Sequence, residues 1–120
     1  AQAEQFSFYR IPKALFTEPN FRELSTDAKV LYGILLDRMS LSLKNQWLDA
    51  QNKVYIIFTV EEIMDALNCA NQKATRLMVE LEKQAGLIER KRQGLGRPNL
   101  IYVKNFAATI NDKSCEKGDS

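Results

Sequence analysis

The stretch from Ser25 to Lys44, STDAKVLYGILLDRMSLSLK, constrains the fold more than any other part of the chain. Ser25 is a favourable N-cap and Asp27 falls in the first turn, so the spacing predicts a helix over about 26–43. Its polar positions are Lys29, Gly33, Asp37, Ser40 and Lys44, which recur every three or four residues and form one narrow stripe. Nearly everything else is apolar: Val30, Leu31, Tyr32, Ile34, Leu35, Leu36, Met39, Leu41 and Leu43. A helix with so thin a wet face is buried on more than one side. It is a central core helix or part of a subunit interface, and core burial is the better reading.

The remaining elements are shorter. Phe6-Ser7-Phe8-Tyr9-Arg10-Ile11-Pro12 reads as a brief aromatic strand ended by proline, and Pro12 to Phe16 as one helical turn. Asn45 to Lys53 is a polar connection holding Trp47, which is expected to pack on the long helix. Val54 to Phe58 is a β-branched and aromatic run, hence a strand. Thr59-Val60-Glu61-Glu62 fits a capping box, opening a helix that buries Val60, Ile63, Met64 and Leu67 and stops near Asn68. Asn71 is positioned to cap a third helix over about 72–85, with Ala74, Leu77, Met78, Leu81 and Ala85 inward and Gly86 as its stop. Leu87 to Gln93 and Leu100 to Phe106 are strands joined by the turn-rich Gly94-Leu95-Gly96-Arg97-Pro98-Asn99.

Composition removes whole classes of chemistry. The 120 residues suit one small domain. There is no histidine, which takes away the commonest general base and the Ser-His and Cys-His nucleophile pairs. The only two cysteines, Cys69 and Cys115, are too few for a cysteine-only zinc site or a disulfide framework and suit a reducing, cytoplasmic setting. Neither phosphate-loop pattern, GxxxxGK[ST] nor GxGxxG, is present, and no apolar run is long enough to span a membrane. Asp37, Asp49, Glu61 and Glu62 could suggest a metal-dependent nuclease, but Glu61, Glu62 and Asp65 are better explained by capping and the helix dipole. The expectation is a protein that is not an enzyme and uses no cofactor or metal.

Charge points to a partner. The net charge is only +2, yet residues 70–104 hold eight basic and three acidic side chains, a net of +5, and the other 85 residues carry −3. A basic end on an acidic module suits a polyanion. Two helices joined by a three- or four-residue turn, here 60–67 and 72–85, form a helix-turn-helix, and a basic hairpin straight after them makes a winged helix. The major groove of duplex DNA admits one helix, read by residues near its N-terminus. Asn71, Gln72, Lys73, Thr75 and Arg76 occupy that place as candidate base readers. Asn and Gln suit adenine, and Arg suits guanine. Arg90, Lys91, Arg92, Arg97, Asn99 and Lys104 are the candidate wing and backbone contacts.

Four segments together are distinctive: Phe8-Tyr9-Arg10-Ile11-Pro12-Lys13, Ser25 to Lys44, VYIIFTVEEI from Val54 to Ile63, and GLIERKRQGLGRPNLIYVKNF from Gly86 to Phe106. Over roughly residues 6–106 the chain resembles the N-terminal domain of the RepA_N family, replication initiators of theta-replicating plasmids in Gram-positive bacteria. The resemblance implies an α+β, mostly α, winged helix-turn-helix domain with a two- or three-stranded antiparallel sheet, which binds repeated origin sequences called iterons. It also implies a linker and a separate C-terminal domain, through which host replication proteins would be recruited. Residues 1–5 then read as a disordered N-terminus, 6–106 as the DNA-binding domain and 107–120 as the linker.

Two other functions share the same surface. A winged-helix transcriptional regulator would bind an inverted repeat at a promoter rather than tandem direct repeats. A winged helix used for protein contacts fits the basic hairpin poorly. Self-association is expected as a homodimer, through the aromatic N-terminal segment or the exposed part of helix 26–43, because tandem repeats reward linked modules.

Overall fold

The computed structural model describes residues 7–104, so the readings made for 1–5 and 107–120 lie outside the described residues. In chain order the elements are α1 (Ala14–Thr17), α2 (Thr26–Lys44), α3 (Val60–Leu67), α4 (Asn71–Val79), a π-helical turn (Glu80–Gln84), β1 (Ile88–Lys91) and β2 (Leu100–Val103). β1 and β2 pair antiparallel, from Ile88 opposite Val103 to Lys91 opposite Leu100. The fold is a winged helix, mostly helical, with a two-stranded sheet. Among the described residues no helix is long and apolar enough to cross a membrane.

The long helix forms where its sequence places it. Ser25 Oγ accepts the Ala28 amide at 3.2 Å, and the helix ends at Lys44. Its first half is the core: Ala28, Leu31, Tyr32, Ile34 and Leu35 are buried together with Leu15, Phe21, Leu24, Ile63, Leu77, Leu81 and Ile101. The polar stripe is wet only at its far end. Asp37, Ser40 and Lys44 are exposed, but Lys29 and Gly33 are buried. Lys29 sends its ammonium over the Phe16 ring, 4.4 Å from the centroid, which lets a cation sit at 6% exposure. Past Leu36 one face of the helix still packs inward through Met39 and the buried Ser42, while Leu41 and Leu43 are exposed, as is Trp47 on the following connection.

Gly33 corrects the reading of the N-terminus. Residues 7–12 form no strand; Phe6 lies outside the described residues. The segment instead crosses α2 at Gly33, where an added Cβ would meet Ile11 Cγ1 at 2.9 Å and the Arg10 carbonyl oxygen at 3.0 Å. A bare α-carbon admits the crossing chain.

The second helix follows its sequence closely. Thr59 Oγ1 accepts the Glu62 amide at 3.1 Å, and the Thr59 amide donates to Glu62 Oε1 at 2.9 Å. Asn68 is left-handed (φ 54°, ψ 52°), and its amide and that of Cys69 both return to the Met64 carbonyl. Two expectations fail nearby. Ala70, not Asn71, is the N-cap of α4, with no side-chain cap, so Asn71 is the first helical residue. The third helix is not α throughout: it widens into the π turn at Glu80, where the Ala85 amide reaches back five residues to the Glu80 carbonyl at 3.0 Å.

Val54 to Phe58 is not a full strand. Ile56 alone pairs with Ile101, exchanging both backbone bonds at 2.9 Å, and Val54 pairs singly with Leu48. The chain must enter the Thr59 cap shortly after Ile56, which leaves room for one bridge and no second ladder bond.

The connection before it is tied to the sheet by Asp49. Its carboxylate accepts the amides of Gln51 at 2.8 Å and Lys53 at 2.9 Å, and the Tyr102 hydroxyl at 2.8 Å. The Lys53 amide, then the Tyr102 hydroxyl, hold the Asp49 carboxyl below the usual carboxylate range. The same bond to Asp49, with some burial, raises the Tyr102 phenol above its ordinary value.

The crossing at Gly33 and the Asp49–Tyr102 bond each make a testable claim. Gly33→Ala should gain about 1 kcal/mol of helix propensity yet lower the melting temperature, because the crossing segment has to lift. It should also speed tryptic cleavage after Arg10; a raised melting temperature with unchanged cleavage would show that the close approach carries no stability. For Asp49, the depressed pKa means its contribution is present above the ordinary carboxylate pKa and lost as pH falls through the folded value. For Tyr102 the contribution is present below the ordinary phenol pKa and lost as pH rises through the raised folded value. Asp49→Asn should bring the Tyr102 titration, followed by ultraviolet absorbance, back toward its ordinary value, and an unmoved titration would refute the coupling.

Candidate nucleic-acid interface

α3, the turn at 68–70 and α4 form the helix-turn-helix, and the β1–β2 hairpin is the wing. α4 buries Ala74, Leu77 and Met78 against the core, which turns Asn71, Gln72, Thr75 and Arg76 to solvent. Four of the five candidate base readers are thus exposed at the start of α4. Lys73 is only half-exposed and is ion-paired with Asp27 in the first turn of α2.

The acidic residues of the π turn set the geometry. Glu80 accepts the Ser25 amide at 2.9 Å and the Ser25 hydroxyl at 3.1 Å, joining the end of α4 to the start of α2. Its carboxylate also lies 3.8 Å from Arg76 Nε, a loose contact that leaves most of the Arg76 side chain in solvent. Glu82 takes the Arg90 guanidinium through Nε at 2.8 Å and Nη2 at 2.6 Å. Arg90 therefore commits two of its guanidinium nitrogens to Glu82, fastening the wing to the π turn.

The other wing candidates divide by position. Lys91, Arg92, Arg97 and Asn99 are exposed, and none of these cations is in an ion pair among the described residues. Asn71, Arg90, Arg97, Pro98 and Asn99 line one groove between the wing and the starts of α3 and α4, where Thr59, Val60 and the acidic Glu61 form its α3 side and Phe58, Ile63, Met78 and Ile101 lie beneath. Lys104 lies at the other end of the hairpin. Its amide donates to the Leu87 carbonyl and its carbonyl accepts the Tyr32 hydroxyl, both at 2.8 Å, so it closes the base of the wing away from the tip.

Sequence reasoning missed the anchors. In the sequence Glu80 and Glu82 are only two of the three acidic side chains of residues 70–104; their bonds with Ser25 and Arg90 arise from packing between separate segments. Asp27 likewise read as a dipole partner, whereas it also holds Lys73.

Known proteins share this architecture. A solved structure described as "N-Terminal domain of DNA binding protein" is 36% identical, with a TM-score of 0.75 over 99% of this chain and 92% of that one. Another, "Structure of Rep-DNA complex", is 39% identical with a TM-score of 0.75 over 87% of this chain and 79% of that one. A third, "Structure of MDR initiator", is 39% identical with a TM-score of 0.71, covering 94% and 93%. A "41 kDa protein" of Lactobacillus helveticus is 32% identical over 103 residues, 86% of this chain, and the chain spans 28% of that relative's length. The family model for the N-terminus of replication initiator protein A matches residues 7–117, and the chain belongs to that family.

Proposed function

We propose that this domain binds double-stranded DNA sequence-specifically at repeated origin sequences (iterons), without catalysis, and so marks a plasmid origin for theta-type replication. The observation that carries the reading is the shared groove: the first residue of α4 and the exposed wing residues Arg97 and Asn99 line one surface. The likeness to a structure described as a Rep–DNA complex supports it. α4 enters the major groove, where Arg76 and Gln72 reach base edges, and Lys91, Arg92 and Arg97 hold the adjacent backbone or minor groove. Lys73 and Arg90 act through position, because Asp27 and Glu82 already take their charges. Host replication proteins would be recruited through a C-terminal domain.

The proposal includes a homodimer. The exposed apolar side chains Phe8 and Tyr9 on the N-terminal segment, and Leu41 and Leu43 on the last turns of α2, lie outside the helix-turn-helix and wing and support a contact that leaves those elements free.

Binding and self-association are tested separately. Arg76→Ala should cost about 1–3 kcal/mol on the selected sequence and relax its base preference, while Lys91→Ala should weaken selected and random duplex alike. With Lys91, Arg92 and Arg97 as the phosphate-facing cations, log affinity should fall against log salt with a slope of roughly −2 to −3. Equal losses for both variants on both duplexes would remove Arg76 as a base reader, and a much shallower slope would remove the docking surface. Sedimentation equilibrium at micromolar concentration should show a dimer, weakened by Leu43→Glu; a monomer at that concentration would end the dimer reading.

A further inference from the structure

We propose that Leu95 is an apolar wedge, which the wing inserts into the minor groove to pry open one base step. The inference rests on the DNA-binding reading above and adds how the bound duplex is deformed.

Leu95 is 98% exposed, the most exposed of the large apolar side chains among the described residues. It stands at the second position of a turn in which the Gly94 carbonyl accepts the Arg97 amide at 3.2 Å. Gly96, at the third position, has φ 77°, as a type II turn requires. Gly94 has φ 125°, and a Cβ built on either glycine would meet nothing within 4 Å. The apex is thus one leucine side chain with bare backbone on both sides. Below it, the Gln93 side-chain amide donates to the Pro98 carbonyl at 2.7 Å and pins the neck of the loop.

An isolated exposed leucine is ordinary on a protein surface. This one differs in its surroundings. From Arg90 to Lys104 the chain has no acidic residue, and the exposed Arg92 and Arg97 flank the apex. Cations on both sides draw the tip toward a polyanion, and the narrow glycine-flanked apex can enter a groove too tight for a broader loop. Minor-groove binding proteins use Leu, Ile, Phe, Met or Pro in this way, partly unstacking a step and kinking the duplex.

The test uses the 120-residue chain and a short duplex that the wild-type chain selects from a random-sequence pool. Permanganate oxidation reports unstacked thymines, and fluorescence transfer between the duplex ends reports the bend. The wild-type chain should make thymines at one step hyperreactive and shorten the end-to-end distance. Leu95→Ala should abolish both and weaken binding about three- to tenfold, with the salt slope unchanged because no charge is removed. Leu95→Met should retain both. Leu95→Ala with wild-type reactivity, bend and affinity would overturn the wedge, and Arg97→Ala still losing affinity in that case would leave the DNA-binding reading standing. Failure of the wild-type chain to select any duplex would overturn both.

Discussion

The Glu80 carboxylate fixes the arrangement on which the interface depends. It accepts both the amide and the hydroxyl of Ser25, at the N-cap of α2. A carboxylate at that place also meets the positive end of the long helix dipole. The link joins the end of α4 to the start of the core helix, so the direction of α4 is set by a polar clamp as well as by its buried Ala74, Leu77 and Met78. The π turn that begins at Glu80 also supplies Glu82, which holds Arg90 of the wing. One short irregular segment therefore orients both halves of the candidate surface.

Charge is partitioned in the same way. The basic excess of residues 70–104 does not all face outward. Lys73 is bound to Asp27 and Arg90 to Glu82, whereas Lys91, Arg92 and Arg97 are exposed without ion pairs among the described residues. The first two stiffen the scaffold; the others remain available for a partner. Counting cations in the sequence merges these two populations.

Local signals were legible. The Ser25 cap, the Thr59–Glu62 box, the left-handed Asn68 and the apolar faces of the three longer helices are encoded within a few residues of where they act. What was not legible depends on distant packing. Lys29 reads as wet but is covered by Phe16, and residues 7–12 read as a strand but cross α2 at Gly33. Val54 to Phe58 has strand composition, yet only Ile56 bridges to the sheet. Composition states what a segment favours, and the neighbour that satisfies it lies elsewhere in the chain. The candidate site followed the same rule: its exposed residues were readable, and the carboxylates that position them were not.

The single bridge between Ile56 and Ile101 gives the wing the mechanics of a cantilever. The hairpin is clamped at one end, by that bridge, by the Lys104–Leu87 bond and by the Tyr32 hydroxyl on the Lys104 carbonyl. From Arg90, which lies opposite Ile101 and is held by Glu82, to the apex the chain reaches roughly 16 Å, so a tilt of about 10° at the clamp would swing the tip by about 3 Å. Side chains at the root, such as Tyr32 and Ile101, thus act as a fulcrum, and a small repacking there is magnified into a displacement comparable to one base-pair rise.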